Sequence, residues 1–281
     1  MHAQFAHNPT SIAYFVKLLA NNSFSFTCHA VDIFVHTALL KEKIEESKFF
    51  ATISNYNINY LRERYGEIVL KKANIIRCGI SESEIQNDKV VDFDSNKVTI
   101  FSIGRMVEKK GFNLLVDSIN LLKKHGYNIN CRIIGDGPLK GDIANKIKDL
   151  ELGNEIDLLG ARPSDFVKNE FQSASIFVLP CVQAKNGDMD GIPVVLMEAI
   201  ANSVPVVSTR ISGIPELIVN KETGLLTEPN DVEGLTNSIR LLIQNKNLRE
   251  DLVSKAKLHL KDEFTLEKNV EELGELIIRN T

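Results

Sequence analysis

Short apolar, β-branched runs alternate with longer segments of helical periodicity along the whole chain. That is the pattern of parallel strands joined by helical crossovers, so the fold class is α/β. In the first third, the runs His2–Ala6, Phe24–His29, Phe49–Ser54 and Asn74–Cys78 predict strands, with helices between them that include Pro9–Leu19 and Asn55–Tyr65. A polar, acidic and apolar-poor stretch, Ser81–Asn96, interrupts the alternation and predicts a linker. Beyond it, Val98–Ile103, Asn130–Ile134, Ile156–Leu159, Ile176–Leu179, Val204–Ser208 and Leu225–Leu226 predict six more strands, enough for a complete doubly wound sheet, flanked by amphipathic segments such as Asn113–Lys124. Asp231–Asn280 holds three helical patterns and no strand. The expected organisation is a first domain over 1–85, a second over 86–262, and a closing helix, 263–281, that packs back on the first.

Composition narrows this picture only a little. With 281 residues, 43% of them apolar and 25% charged, the chain is large enough for two cores. A net charge of −4 gives no global electrostatic reason to expect a nucleic-acid partner. Cys28, Cys78, Cys131 and Cys181 lie far apart in or beside apolar runs and form no C-x-x-C pair, so they read as core thiols rather than metal ligands or disulfides. The N-terminus lacks a basic n-region and an apolar h-region, and no apolar stretch approaches the ~20 residues of a membrane-spanning helix. The expected location is the cytoplasm.

In open parallel sheets, ligands sit at the carboxyl ends of strands. There the loop from Ser102 to Gly111 carries Gly104, Arg105, Lys109 and Lys110. A guanidinium fork and an ammonium would stabilise negative charge growing on a departing phosphate, although a solvated basic loop accounts for the same residues. Gly135 and Gly137, after another strand, would let backbone approach a bound group, or would simply make a tight turn. The densest cluster runs from Pro180 to Glu198. Asp188 and Asp190 precede Gly191-Ile192-Pro193, which opens a helix containing Glu198. Free amides at that helix start, with the helix dipole, favour an anion, and the two carboxylates Asp190 and Glu198 would bracket a polyhydroxyl ligand. The plainer alternative makes the aspartates dipole compensation and Glu198 a solvent-facing residue. His29 ends a strand of the first domain and is expected to face the cleft between domains, though a lone histidine is also a common structural residue.

Together these segments resemble glycosyltransferase family 4, retaining enzymes of the two-domain GT-B fold. The likeness rests on Gly187-Asp188-Met189-Asp190-Gly191-Ile192-Pro193-Val194-Val195-Leu196-Met197-Glu198-Ala199, followed by Pro205-Val206-Val207-Ser208-Thr209 and Ser212-Gly213-Ile214-Pro215-Glu216-Leu217. The wording is most similar to the exopolysaccharide subgroup that includes colanic-acid-type transferases. The resemblance implies two Rossmann-like domains, the N-terminal one incomplete because the chain begins well inside the family's first domain. It implies donor-diphosphate contacts for Arg105 and Lys110, a ribose contact for Glu198, and donor-sugar contacts for Asp190 and His29. Gly104, Gly135, Gly137, Gly191, Ile192 and Pro193 complete the implied donor site, and neither a metal nor another cofactor is implied. The family's usual residue at position 190 is glutamate, and Ser203 replaces a glycine common in the family.

The expected function is therefore transfer of a sugar from a nucleoside diphosphate sugar to a glycan or lipid-linked glycan, with retention, in cell-surface polysaccharide synthesis. A lipid-linked acceptor would bring peripheral contact with the inner face of the cell membrane. The competing expectation is a nucleotide-sugar-binding piece of a split enzyme, completed by a partner chain, with Phe24–His29 at or near a raw sheet edge. A nucleotide-sugar epimerase would share the architecture, but the motif wording follows the transferases. A dehydrogenase would need a dinucleotide fingerprint, and G-x-G-x-x-G is missing from the start of either domain.

Overall fold

A computed structural model describes residues 1–85 and 98–280. The elements run β1 (His2–Gln4), α1 (Asn8–Ala20), β2 (Ser25–Cys28), α2 (Val31–Phe34), α3 (Leu40–Glu46), β3 (Phe50–Thr52), α4 (Asn55–Tyr65), α5 (Ile68–Lys72) and β4 (Ala73–Ile75). After the break follow β5 (Val98–Ile103), α6 (Phe112–Lys124), β6 (Ile129–Ile134), α7 (Lys140–Asp149), β7 (Ile156–Gly160), α8 (Ser164–Ser173), β8 (Ile176–Leu179), α9 (Val194–Ala201), β9 (Val206–Thr209), α10 (Ile214–Leu217) and β10 (Leu225–Thr227). The chain closes with α11 (Val232–Gln244), α12 (Lys246–Glu263) and α13 (Leu266–Arg279). Most of the expected linker, from residue 86 onward, lies outside the described residues; before it, Glu82–Glu84 make a 3₁₀ turn.

Both sheets are parallel. The first has the order β1-β2-β3-β4, and the second β10-β9-β8-β5-β6-β7. Strand β8 is buried along its whole length, as is β9, which explains their unbroken apolar and β-branched sequence. Helices show the complementary pattern. In α11, Leu235, Ile239, Leu242 and Ile243 face the core, and the Asp231 side chain accepts from Gly234 N to cap the start. In the second sheet the chain builds outward from β5 through β6 and β7, then resumes on β5's other side with β8, β9 and β10. The crossover direction thus reverses between β5 and β8, and a crevice opens outside their carboxyl ends.

Of the two placements expected for Phe24–His29, at a sheet edge or near one, the structure shows the second, because β2 pairs with β1 on one side and β3 on the other. The sheet's edges are β4 and, next to β2, β1. Beside it, α1 leaves Ile12, Phe15, Leu18 and Leu19 exposed.

Two apolar cores interlock across the sheets. Ile53, just after β3, belongs to the core of the second sheet, whereas Met189, from the loop after β8, belongs to the core of the first. Polar contacts reinforce this. The Glu216 carboxylate accepts from the backbone N of Asn55 (3.1 Å) and Tyr56 (2.9 Å) at the start of α4, and from Arg77 Nη1 at 2.8 Å. It therefore satisfies otherwise orphaned helix amides of the first sheet's layer from α10 of the second. Farther along, Leu266 N at the start of α13 donates to Ile80 O, and Ile80 N to Phe264 O.

Ser203 ends α9 in the left-handed region, with φ +61°, and its buried hydroxyl has no hydrogen-bond partner among the described residues. Glycine adopts that conformation without the Cβ penalty. Ser203→Gly is accordingly expected to raise stability by about 1 kcal/mol, seen as a higher urea midpoint at unchanged slope. An unchanged or lower midpoint would show that the serine is not strained.

Candidate functional site

The loops after β5 and β8 meet in the crevice where the strand order reverses. Lys110 Nζ lies 2.7 Å from Asp190 Oδ2, while Lys109 Nζ lies 3.0 Å from Asp188 Oδ2 and 3.5 Å from Asp190 Oδ1. Two ammonium and two carboxylate groups thus form one half-buried cluster. Burial is the largest single influence on Lys110 and works against its charge, but Asp190, by its charge and its hydrogen bond, together with Cys181 and Asp188, holds that ammonium above its ordinary pKa. Cys181, buried at the end of β8, approaches Asp190 Oδ2 at 3.6 Å; burial raises its pKa far enough to keep it a thiol, so it donates. Asp190 is therefore gripped from three sides. The aspartates answer to lysines rather than to the dipole of α9.

Arg105 behaves differently. It is exposed, and among the described residues nothing is paired with its guanidinium. The stem of Lys110 runs under Gly104, whose absent side chain would stand 3.3 Å from Lys110 Cδ and Cε. Gly135 and Gly137 come close to this same loop. A Cβ on Gly135 would stand 1.9 Å from Gly104 O, and one on Gly137 2.6 Å from Met106 O. Met106 N also donates to Asp136 O, so the two loops are fastened backbone to backbone.

Pro193 is the N-cap of α9 and makes no side-chain cap hydrogen bond; Leu196 N donates to Pro193 O, and among the described residues the amides of Val194 and Val195 remain for water or a ligand. Ile192 is buried, and Gly191 packs against the first sheet's layer: a Cβ there would meet Ile53 Cδ1 at 2.5 Å and His29 O at 3.5 Å. This close approach brings the carboxyl end of β2 to the Asp190 loop. His29 is held firmly. Its backbone N donates to Asp32 Oδ1 (3.0 Å), its carbonyl accepts from Asn57 Nδ2 (2.7 Å), and the Phe5 ring leans on its imidazole at 4.9 Å between centroids. Phe5 also stacks on His7 at 5.3 Å. Beyond His7 opens a cavity of about 650 Å³ lined by His7, Asn8, Ser11, His36, Thr37 and Lys43, with no carboxylate among its lining residues.

Glu198 is half-buried on α9. Burial, and then the charge of Glu84, push its pKa up. Because the folded pKa is raised, the native state binds the proton more tightly than the unfolded one, so stability falls as pH rises through the window above the ordinary glutamate value. Glu198→Gln should therefore match the parent at acidic pH and exceed it in melting temperature near neutrality. A parent that is the more stable of the two at pH 7 would contradict this.

Sequence reasoning named Lys109 only as one cation of the basic loop, read Cys181 only as a core thiol, and gave Glu216 and Arg77 no role of their own. The first adjoins Lys110, and the second directly follows Pro180; neither their pairing with Asp190 nor the reach of Glu216 to α4 has a local sequence signal. Among the described residues, no group of three or more His, Cys, Asp or Glu side chains could hold a metal ion, and no helix is long and apolar enough to cross a membrane.

Two parallel α/β sheets facing a shared crevice, with the second wound about a reversal at β5 and β8, define a GT-B fold. Residues 83–259, more than half of the chain, match the family described as Glycosyl transferases group 1, and the chain belongs to that family. The amylovoran biosynthesis glycosyltransferase AmsK of Erwinia amylovora is 35% identical over 209 residues, 74% of this chain and 51% of that protein. The chain thus spans about half the length of that relative. Among solved structures, a glycosyltransferase from Rickettsia africae superposes with a TM-score of 0.82 at 22% identity, over 99% of this chain and 76% of the other. HepE of Anabaena in complex with UDP gives 0.82 at 16% identity, over 96% and 76%.

Proposed function

We propose that the protein is a retaining glycosyltransferase of family 4 that moves a sugar from a nucleoside diphosphate sugar to a glycan or lipid-linked glycan in exopolysaccharide synthesis. The observation that carries this reading is the Lys110–Asp190 pair at the strand-order reversal, beside the first-turn amides of α9 and an Arg105 that is unpaired among the described residues. A diphosphate entering the crevice offers Lys110 a stronger anion than Asp190, releasing that carboxylate to accept from sugar hydroxyls. Arg105 supplies a fork for the leaving phosphate. Glu198, farther along α9, accepts from ribose hydroxyls, which removes the desolvation that raises its pKa. His29 meets the donor sugar from the other sheet. These cations and amides carry the charge on the leaving group, with neither metal nor other cofactor taking part. The donor thus occupies the layer of 86–262, and the layer of 1–85 together with α13 forms the acceptor side, with the His7–His36 cavity one aromatic ring away from His29 as the place for acceptor hydroxyls. The work is done in the cytoplasm, at the inner membrane face when the acceptor is lipid-linked.

Thermal shift with UDP- and GDP-sugars at millimolar concentration tests the donor site. Ligand at 100 times its Kd adds about 2.7 kcal/mol of stability, so a matching donor should raise the melting temperature measurably, and the nucleoside alone should not. A folded protein that responds to no nucleotide sugar would refute the assignment. Anomeric configuration of the product, read by proton NMR, tests retention.

A second reading, in which another polypeptide completes the first sheet, is favoured by the edge of β1, unpaired among the described residues, beside the exposed Ile12, Phe15, Leu18 and Leu19 of α1. It predicts donor binding without transfer by the isolated chain.

A further inference from the structure

The imidazole of His29 has one polar contact among the described residues, and it comes from a residue with no assigned part. Cys78 Sγ lies 3.8 Å from His29 Nδ1, across from β2 on the segment that follows β4. Such a pair exists in three forms: thiolate with imidazolium, Nδ1–H donating to sulfur, or S–H donating to Nδ1. Burial separates them. It pushes the thiol of Cys78 up and the imidazole of His29 down, so both partners stay neutral and the ion pair used by thiol nucleophiles is disfavoured. Of the two neutral forms, imidazole nitrogen is the better acceptor and neutral sulfur a poor one, so the proton stays on sulfur and points at Nδ1.

We propose that Cys78 is a positioning residue that holds His29 as the Nε2–H tautomer, so that His29 meets the donor sugar as a hydrogen-bond donor and not as a base. The consequence follows from the inventory of the ring. With Nδ1 occupied as an acceptor and the Phe5 ring leaning against the imidazole, Nε2 alone remains without a partner among the described residues. A donor N–H there can grip a sugar oxygen, whereas it cannot take a proton from an acceptor hydroxyl. This proposal rests on the reading of His29 as a donor-sugar contact, but the tautomer is a property of the unliganded protein and is tested without any substrate.

The experiment is long-range ¹H–¹⁵N correlation on the full chain labelled with ¹⁵N-histidine, the His29 signals being assigned by their loss in His29→Gln. The expected spectrum shows a protonated Nε2 and an unprotonated Nδ1. Cys78→Ala should move His29 toward a mixture of tautomers, and Cys78→Ser, whose hydroxyl also donates, should restore the bias. A dominant Nδ1–H tautomer in the parent, or a spectrum that Cys78→Ala leaves unchanged, overturns the proposal. In a transfer assay, Cys78→Ala should lower kcat by roughly tenfold, the low end of losses seen when the partner that orients a functional histidine is removed, with little change in donor KM. If the NMR result holds while no donor binds or reacts, the tautomer assignment stands and the glycosyltransferase reading falls; the reverse pattern sinks Cys78 alone.

Discussion

Gly111→Ala is expected to cost about 3–5 kcal/mol of stability, enough to unfold much of the protein at growth temperature. Gly111 sits at φ +67°, between β5's loop and α6, where a Cβ would stand 1.8 Å from Pro180 O and 2.9 Å from Pro180 C. Those atoms are backbone at the end of β8, so no side-chain rotation relieves the clash. Relief requires the loops after β5 and β8 to separate, and these are the loops that carry Lys109 and Lys110 on one side and Asp188 and Asp190 on the other. Gly126 isolates the conformational part of the effect. It has φ +82°, but a Cβ added there would meet nothing within 4 Å, so Gly126→Ala should cost only the left-handed penalty of about 1 kcal/mol. Urea denaturation of the two variants is the measurement. Equal midpoints would mean that the strand ends accommodate a methyl group and that loop contact is not what holds the crevice shut.

Much of this architecture was legible because it is local. Ten strand-like runs announced ten strands; the pattern is strongest in β8 and β9, which are mostly apolar or β-branched and buried along their whole length, and weakest in β1 and β4, which are only partly covered. The reversal between β5 and β8 was not. Nothing in the residues of β8 says that it returns to the far side of β5; that is decided by where a crossover finds uncovered sheet. The site shows the same divide. Loops rich in Arg, Lys, Asp and Gly at strand ends could be picked out one at a time, and family resemblance gave them expected roles. That Lys110 pairs with Asp190 from a distant loop, or that Cys78 meets His29 across 49 residues, depends on side chains from separate elements converging at one sheet end. Ser203 is the instructive intermediate: a glycine's place taken by serine was visible in the sequence, whereas its positive φ and unpartnered hydroxyl required the fold.

The charges of the crevice should separate into those that act only on the donor and those that also balance the fold. Arg105 is exposed and unpaired among the described residues, so Arg105→Ala should leave stability within about 0.5 kcal/mol of the parent while transfer falls by roughly 10²–10³-fold, the loss typical of a group aimed at developing negative charge. Lys110 has two duties. Lys110→Met keeps the stem that runs under Gly104 but removes the ammonium 2.7 Å from Asp190, leaving that carboxylate with Lys109 at 3.5 Å and the Cys181 thiol. Transfer should fall at least as far as in Arg105→Ala, and stability should fall too, because a half-buried carboxylate has lost its nearest counter-charge. Adding Asp190→Asn removes the orphaned charge. The double variant should therefore recover most of the lost stability and none of the lost transfer, a coupling that two independent surface charges cannot produce. Recovery of activity along with stability would mean that Lys110 serves only to neutralise Asp190 and that the diphosphate is bound elsewhere. If Lys110→Met alone left transfer intact, the crevice between β5 and β8 would not be the donor site.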